Sequence, residues 1–336
     1  MKRQTFLAAM LGLITIFTMT GRASAELDHV AVAREWGLAY LPVVIMQHDK
    51  LLEKNLHQAG LDNVKVTWKQ FGGGAAMTDA LLSGHLQFAN GGWGPLIKLW
   101  AKTRGRLGVK AVCANDTSPQ ILVTRNPKIK TVKDFTSADR IALPAVKVST
   151  EAVVLQMAIA KEFGFAHYAK LDNYTVSMKH PDALLALTSG RGEVTADFTL
   201  QPYAYEELQH PGIHQVLTSD QVLGGDATLT LVWATTPFRD KNPKIYGAFV
   251  AAMKESMASI NADKHRAAKA YMEATGERKL TADQIYNLIK APGLYTMTPK
   301  HMMDYADFLY KTKAINVKPK SWKDLVFPNV YNLPGS

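Results

Sequence analysis

Two glycine-rich loops, each set between a strand and a helix start, lie within about thirty residues of one another in VKVTWKQFGGGAAMTDALLSGHLQFANGGWGP (64–95). Val64, Val66 and Trp68 alternate with polar residues and predict a strand. Phe71-Gly72-Gly73-Gly74 follows, and then residues 75–83 predict a short helix with Met77, Ala80 and Leu81 on one face and Gly84 as its stop. Residues 86–89 predict a second short strand, running into Gly91-Gly92-Trp93-Gly94 and a helix with Pro95 in its first turn, where proline is favoured. Strand, glycine loop and helix start, repeated, build parallel strands with helix N-termini along one edge. That edge is where open α/β sheets bind ligands, and free N–H groups there suit small anions.

The chain opens with Met1-Lys2-Arg3, an apolar run over 6–19 and Ala23-Ser24-Ala25. A charged start, a short apolar core and an A-x-A site describe a cleavable secretory signal over 1–25, with Glu26 as the first mature residue. The run is too short for a comfortable membrane span, and no later stretch approaches 18 uninterrupted apolar residues. Cys113 is the only cysteine, so no intrachain disulfide forms, and no cysteine near residue 25 can carry a lipid. A soluble periplasmic protein is the expectation, with Cys113 as a core thiol of an apolar strand.

Formal charge is +10, and removal of Lys2, Arg3 and Arg22 leaves +7 for residues 26–336. Such a surplus suits an anionic partner. The basic residues are dispersed, and the densest group, Lys102-Thr103-Arg104-Gly105-Arg106, reads as a solvated helix end, so no nucleic-acid partner is expected. A mature chain of this length with 47% hydrophobic residues overall predicts two packed lobes rather than one core.

Strands are predicted over 28–34, 64–69, 86–89 and 109–114, with a helix over 43–54. The pattern breaks at Ser118-Pro119. A second α/β set follows: strands at 121–124, 139–143, 174–178 and 194–198, a helix over 150–163 closed by Gly164, and one from Pro181 to before Gly190. A strand over 228–234 crosses back, and helices fill 243–260, 264–275, 281–289 and 299–311. The reading is an α/β fold with lobe 1 in 26–118 and 229–336, lobe 2 in 119–228, two hinge crossovers and a helical C-terminal region. A cleft between the lobes is the natural site.

In order and spacing, AYLPVVIMQHDKLLEK (39–54), ALLSGHLQFANGGWGP (80–95), KTVKDF (130–135) and the strand ending at Phe198 resemble periplasmic solute-binding proteins of the nitrate/sulfonate/taurine type. The resemblance spans essentially the whole mature chain. It implies the type II periplasmic binding protein fold, one solute held between two lobes, delivery to an ABC permease in the inner membrane, a monomer, and neither catalysis nor cofactor. Many relatives carry Trp-Asp-Pro after the last strand; here Leu200-Gln201-Pro202 replaces a carboxylate with an amide.

Candidate ligand contacts sit in loops after strands. The first lobe offers Trp36 and Gly37 beside Glu35, then Phe71, Gly72 and Gly73, then Gly92 and Trp93. The second offers Lys147, Ser149 and Thr150, of which one hydroxyl caps the following helix, together with His180, Gln201 and Tyr203. A micromolar binder needs about −8 kcal/mol, while a helix terminus contributes about 0.3–1 kcal/mol, so groups from both lobes must converge. The expected solute is a small organic anion, sulfonate or carboxylate. The alternatives are a neutral heterocycle such as a pyrimidine, or a ligand sensor without transport. An enzyme is disfavoured: thiamine-pyrimidine synthases resemble this fold but need a cysteine-rich iron site, and no G-x-S-x-G, P-loop or H-E-x-x-H is present. Pro211-Gly212 between His210 and His214 argues for a turn, not a metal-binding helix face.

Overall fold

A computed structural model describes residues 26–71 and 74–336; the expected signal segment 1–25, Gly72 and Gly73 lie outside the described residues. Ten strands follow in order: β1 (His29–Arg34), β2 (Lys65–Gln70), β3 (Ala89–Gly92), β4 (Lys110–Asp116), β5 (Ile121–Thr124), β6 (Ile141–Leu143), β7 (Thr175–Ser177), β8 (Ala196–Thr199), β9 (His214–Thr218) and β10 (Thr230–Ala234). They form two sheets of the same design. In the first, β1 pairs parallel with β2 and bridges through Val32 to Phe88, just before β3; β10 lies antiparallel between β3 and β4. In the second, the order is β7-β6-β8-β5-β9, with β5 antiparallel between β8 and β9. Each sheet is thus a unit of four strands completed by one strand arriving across a crossover. This is the α/β type II architecture.

Helices cover the sheets: α1 (Leu41–His48), α2 (Leu51–Gln58), α3 (Gly74–Leu82) and α4 (Trp93–Thr103) with the first, and α5 (Thr150–Phe163), α6 (His180–Thr188), α7 (Tyr203–Leu208) and α8 (Ser219–Leu223) with the second. The C-terminal region supplies α9 (Thr236–Lys241), α10 (Pro243–Ala262), α11 (Lys264–Thr275), α12 (Ala282–Ile289) and α13 (Met302–Lys311). None of the described helices is long and apolar enough to cross a membrane.

Two local expectations differ from the structure, and one strand, β9, was not expected. The helix expected over 43–54 is two helices, because Lys50 adopts φ 51° and breaks the ladder. The strand expected at 86–89 is displaced to β3, so Gly91 and Gly92 belong to a strand and pair with Leu231 and Thr230 of β10. Gly91 lies against the Trp233 indole, where a Cβ would come within 3.0 Å of its ring. Strand β9 carries no strong apolar alternation; it is an edge strand whose residues are mostly half-buried. Cys113 lies fully buried in β4, and burial pushes its thiol up to about 12.

The C-terminal helices are core, not appendage. Phe88, fully buried beside β1, stacks on Phe249 of α10 at 3.7 Å and meets Phe238 of α9 edge-on at 5.2 Å. Removing a ring so placed costs about 3–5 kcal/mol. Phe88→Ala is expected to lower the melting temperature by at least about 6 °C in a thermal melt; a smaller drop would mean that the C-terminal helices stand apart from the first sheet.

Candidate functional site

The loops at the carboxyl ends of the parallel strands of both sheets face each other. Between them lies a cavity of about 380 Å³. From the first sheet come Glu35 after β1, Tyr40, Gly91 and Gly92 of β3, and Lys98 and Lys102 of α4. From the second come Pro144, Ala145 and residues 148–151 around the start of α5, His180 at the start of α6, and Leu200 after β8. Thr230 and Trp233 of β10 close one wall. Glu35 also lines a second cavity of the same volume, formed with Arg34, Trp36, Tyr203 and Tyr271.

The structure therefore divides the residues singled out from sequence. Gly92, Ser149, Thr150 and His180 line the first cavity. Trp36, Gly37 and Tyr203 line the second. Four line neither. Trp93 is fully buried and stacks on Tyr305 at 3.3 Å, so it is a core ring rather than a cavity wall. Phe71 packs half-buried against the first core. Lys147 is exposed and engaged through its carbonyl, which accepts from Lys98 Nζ at 2.5 Å. Gln201 turns its side chain to its own loop, accepting from the Tyr205 N–H at 3.1 Å, while its carbonyl accepts from the Leu38 N–H at 2.8 Å. Gly72 and Gly73 lie outside the described residues.

Two of the candidate glycines also let the two halves approach each other. A Cβ on Gly37, at φ 111°, would stand 2.2 Å from Leu200 Cδ1. One on Gly92 would stand 2.1 Å from Thr150 Oγ1. The Gly94 N–H donates to that same hydroxyl at 3.5 Å. Side chains cannot be accommodated at such distances without movement.

The start of α5 is already provided for. Ser149 is its N-cap, accepting from the Ala152 N–H at 3.3 Å. Glu151 places its own carboxylate in the first turn, where the helix dipole favours negative charge. This buried carboxylate accepts from Gln120 Nε2 at 2.6 Å.

Burial governs the titration of the cavity. It pushes the Glu35 carboxyl up to about 8, with the Glu151 charge adding to the rise; the Tyr40 hydroxyl donates to Glu35 at 3.3 Å. Burial also raises Glu151. It lowers His180 to about 4, so the imidazole is neutral at neutral pH. His180 Nδ1 pairs with Thr199 Oγ1 at 3.1 Å, and Nε2 stands 4.0 Å from Glu151 Oε1, too far for a hydrogen bond. Lys98 is lowered to about 8 by burial and then by Lys102. Among the described residues no group of three or more His, Cys, Asp or Glu side chains is placed to hold a metal ion. Glu151 had a sequence signal, an acidic residue beside the Ser149 cap, whereas nothing in the sequence aims Trp233 at a cavity.

Behind the cavity, Asp197 and Glu207 are fully buried carboxyls, each raised by burial; they meet one another, and Asp197 is also approached by the Thr199 hydroxyl and the Phe198 N–H. Two carboxylates so close cannot both ionise, so the pair holds a proton between them.

No family model and no curated protein matches the sequence. Solved structures do. The alkanesulfonate-binding protein SsuA from Xanthomonas axonopodis pv. citri, bound to MOPS, superposes with a TM-score of 0.69 at 17% identity, covering 88% of this chain and 96% of that one. The periplasmic aliphatic sulphonate binding protein SsuA from Escherichia coli gives 0.66 at 20%, covering 90% and 92%. The periplasmic nitrate-binding protein NrtA from Synechocystis PCC 6803 gives 0.60 at 15%, covering 78% and 70%. The architecture is that of the periplasmic binding proteins. The neighbours at this fold are binding proteins of transport systems.

Groups protonated only in the folded state tilt stability with pH. Unfolded carboxyls titrate near 4; the Asp197–Glu207 pair and Glu35 hold protons above that, so the folded state binds more protons and stability falls as pH rises from about 4 through the folded values. Glu207→Gln supplies the shared hydrogen permanently. Its melting temperature is expected to gain on the parent at pH 8 and to lose that gain at pH 4; equal shifts at both values would refute the shared proton.

Proposed function

We propose that this chain is the solute-binding component of an ABC import system, acting as a monomer in the periplasm. It captures a small organic solute between lobe 1 (26–118 and 229–336) and lobe 2 (119–228) and presents it to an inner-membrane permease. The observation that carries this reading is the cavity of about 380 Å³ walled from both sheets, a volume suited to a small molecule. The resemblance to solute-binding proteins in sequence order and the likeness of fold support it.

The hinge is assigned to the two crossings, between β4 and β5 and between β9 and β10. Binding is then coupled to closure along the seam where Gly37 meets Leu200 and Gly92 meets Thr150. The organic-anion expectation draws support from Lys98 and Lys102 on the cavity wall. The heterocycle alternative draws support from the Tyr40 and Trp233 rings and from the acceptors opposite them.

The test is a thermal-shift screen of the purified protein against sulfonates, carboxylates, nitrate and nitrogen heterocycles, with small-angle scattering on each hit. A ligand at 100 times its dissociation constant adds about 2.7 kcal/mol, and the radius of gyration is expected to fall as the lobes close. Gly92→Ala is expected to weaken such a ligand at least tenfold by propping the seam, and a further Thr150→Ala to recover most of the loss. Unchanged affinity in Gly92→Ala would refute closure at this seam.

A further inference from the structure

Resting on the reading of the first cavity as the solute site, we infer that it recognises its ligand through a nitrogen group that is cationic or rich in N–H donors. An ammonium, an amidinium or an amino-substituted heterocycle would sit among the carboxylates of Glu35 and Glu151 and the Nε2 of His180. The net charge of the chain points to an anion; the interior of the cavity points the other way.

Three acceptors converge there. Glu151 is 4% exposed; its carboxylate accepts from Gln120 Nε2 at 2.6 Å and is also met by the Ser149 hydroxyl, both neutral donors. Glu35 has the Tyr40 hydroxyl on one oxygen, while its other oxygen, Oε1, faces the backbone of Gly91. Among the described residues neither carboxylate has a lysine or arginine within 4.0 Å. A buried carboxylate without a cation is costly, which is why Glu35 keeps its proton at neutral pH; a cationic ligand group beside it takes the place of that proton, and both Glu35 and Glu151 belong to a wall that a ligand would touch.

The second observation is His180. It is 6% exposed, lines the cavity, and leaves Nε2 without a hydrogen-bond partner, 4.0 Å from Glu151 Oε1. That gap is too long for a direct bond, and a ligand amino or ammonium nitrogen placed beside it donates one N–H to each atom. Donation to Nε2 fixes the tautomer: Nδ1 then carries the hydrogen and donates to Thr199 Oγ1 at 3.1 Å. Anion binding finds no comparable set. The helix terminus at the site holds the chain's own Glu151, and the amine of Lys98 is engaged by the Lys147 carbonyl.

The test uses matched probes, benzamidine and 4-aminopyrimidine against benzoate and benzenesulfonate, measured by calorimetry and scattering on the full protein and on Glu35→Gln and Glu151→Gln. Circular dichroism establishes that the variants are folded. The expected result is that a nitrogen probe binds and compacts the protein, and that each variant binds it at least tenfold more weakly. Binding of benzoate or benzenesulfonate alone overturns the inference and leaves solute binding standing. Nitrogen-probe binding that both variants retain overturns it too, by placing the ligand elsewhere. Binding and compaction by none of the four overturns the inference and counts against the solute-binding reading with it.

Discussion

Each sheet of this protein is finished by a strand that arrives from the other half, and the rest of the structure depends on that exchange. β10 enters between β3 and β4, and β5 between β8 and β9. Neither sheet is continuous without its inserted strand, so the crossings cannot come apart without exposing ladder groups that must be paired. Asp116 fastens the first-sheet end of both crossings. Fully buried, it accepts from the Ser118 N–H at 3.1 Å on the outgoing segment and from the Thr230 hydroxyl at 2.7 Å on the returning one. Burial pushes it up to about 6, and the hydrogen bonds from Ser118 and Thr230 work against that rise. The two segments are thus tied to one another at the point where the chain passes twice between the sheets.

What the hinge brings together is a seam of backbone and a cavity of side chains. The seam is tight because glycine lies on one side of it: Gly37 against Leu200, Gly92 against Thr150. The cavity behind it is acidic at its inner wall, where Glu35 and Glu151 sit, and has Lys98 and Lys102 from α4. Desolvation dominates the titration of Glu35, Glu151, His180 and Lys98 alike, raising the acids and lowering the bases. Polar contacts to groups this buried are stronger than those made in water, so a ligand that supplies the missing donors gains more here than it would at an exposed surface.

Much of this was legible from residues alone. The α5 helix and the β5 strand fall where periodicity and turn signals put them, because Ser149, Gly164 and Ser118-Pro119 mark their ends. Ser149 was recognisable as a cap. The second glycine pair, Gly91-Gly92, was recognisable as lying at the strand edge that lines the first cavity. Their partners were not, since a glycine demanded by Thr150 and one demanded by a ligand look the same in a sequence. Trp93 misled for a related reason: an aromatic beside a glycine pair is equally suited to a cavity wall or to a core, and the stack on Tyr305, more than two hundred residues away in the chain, decides it.

The sequence by itself determined the α/β class, the alternation of the two units, the crossings and the helical C-terminal region, because these follow from local periodicity, caps and turn residues. The tertiary structure alone decided which side chains meet. Glu35 follows β1, Glu151 and His180 open α5 and α6, and Trp233 lies in β10, and they converge only when both sheets are complete and face one another. Net charge, summed over the whole surface, said nothing of the sign of that small interior. Burial fixes the local chemistry there, and burial is a property of the packed chain, not of any segment of it.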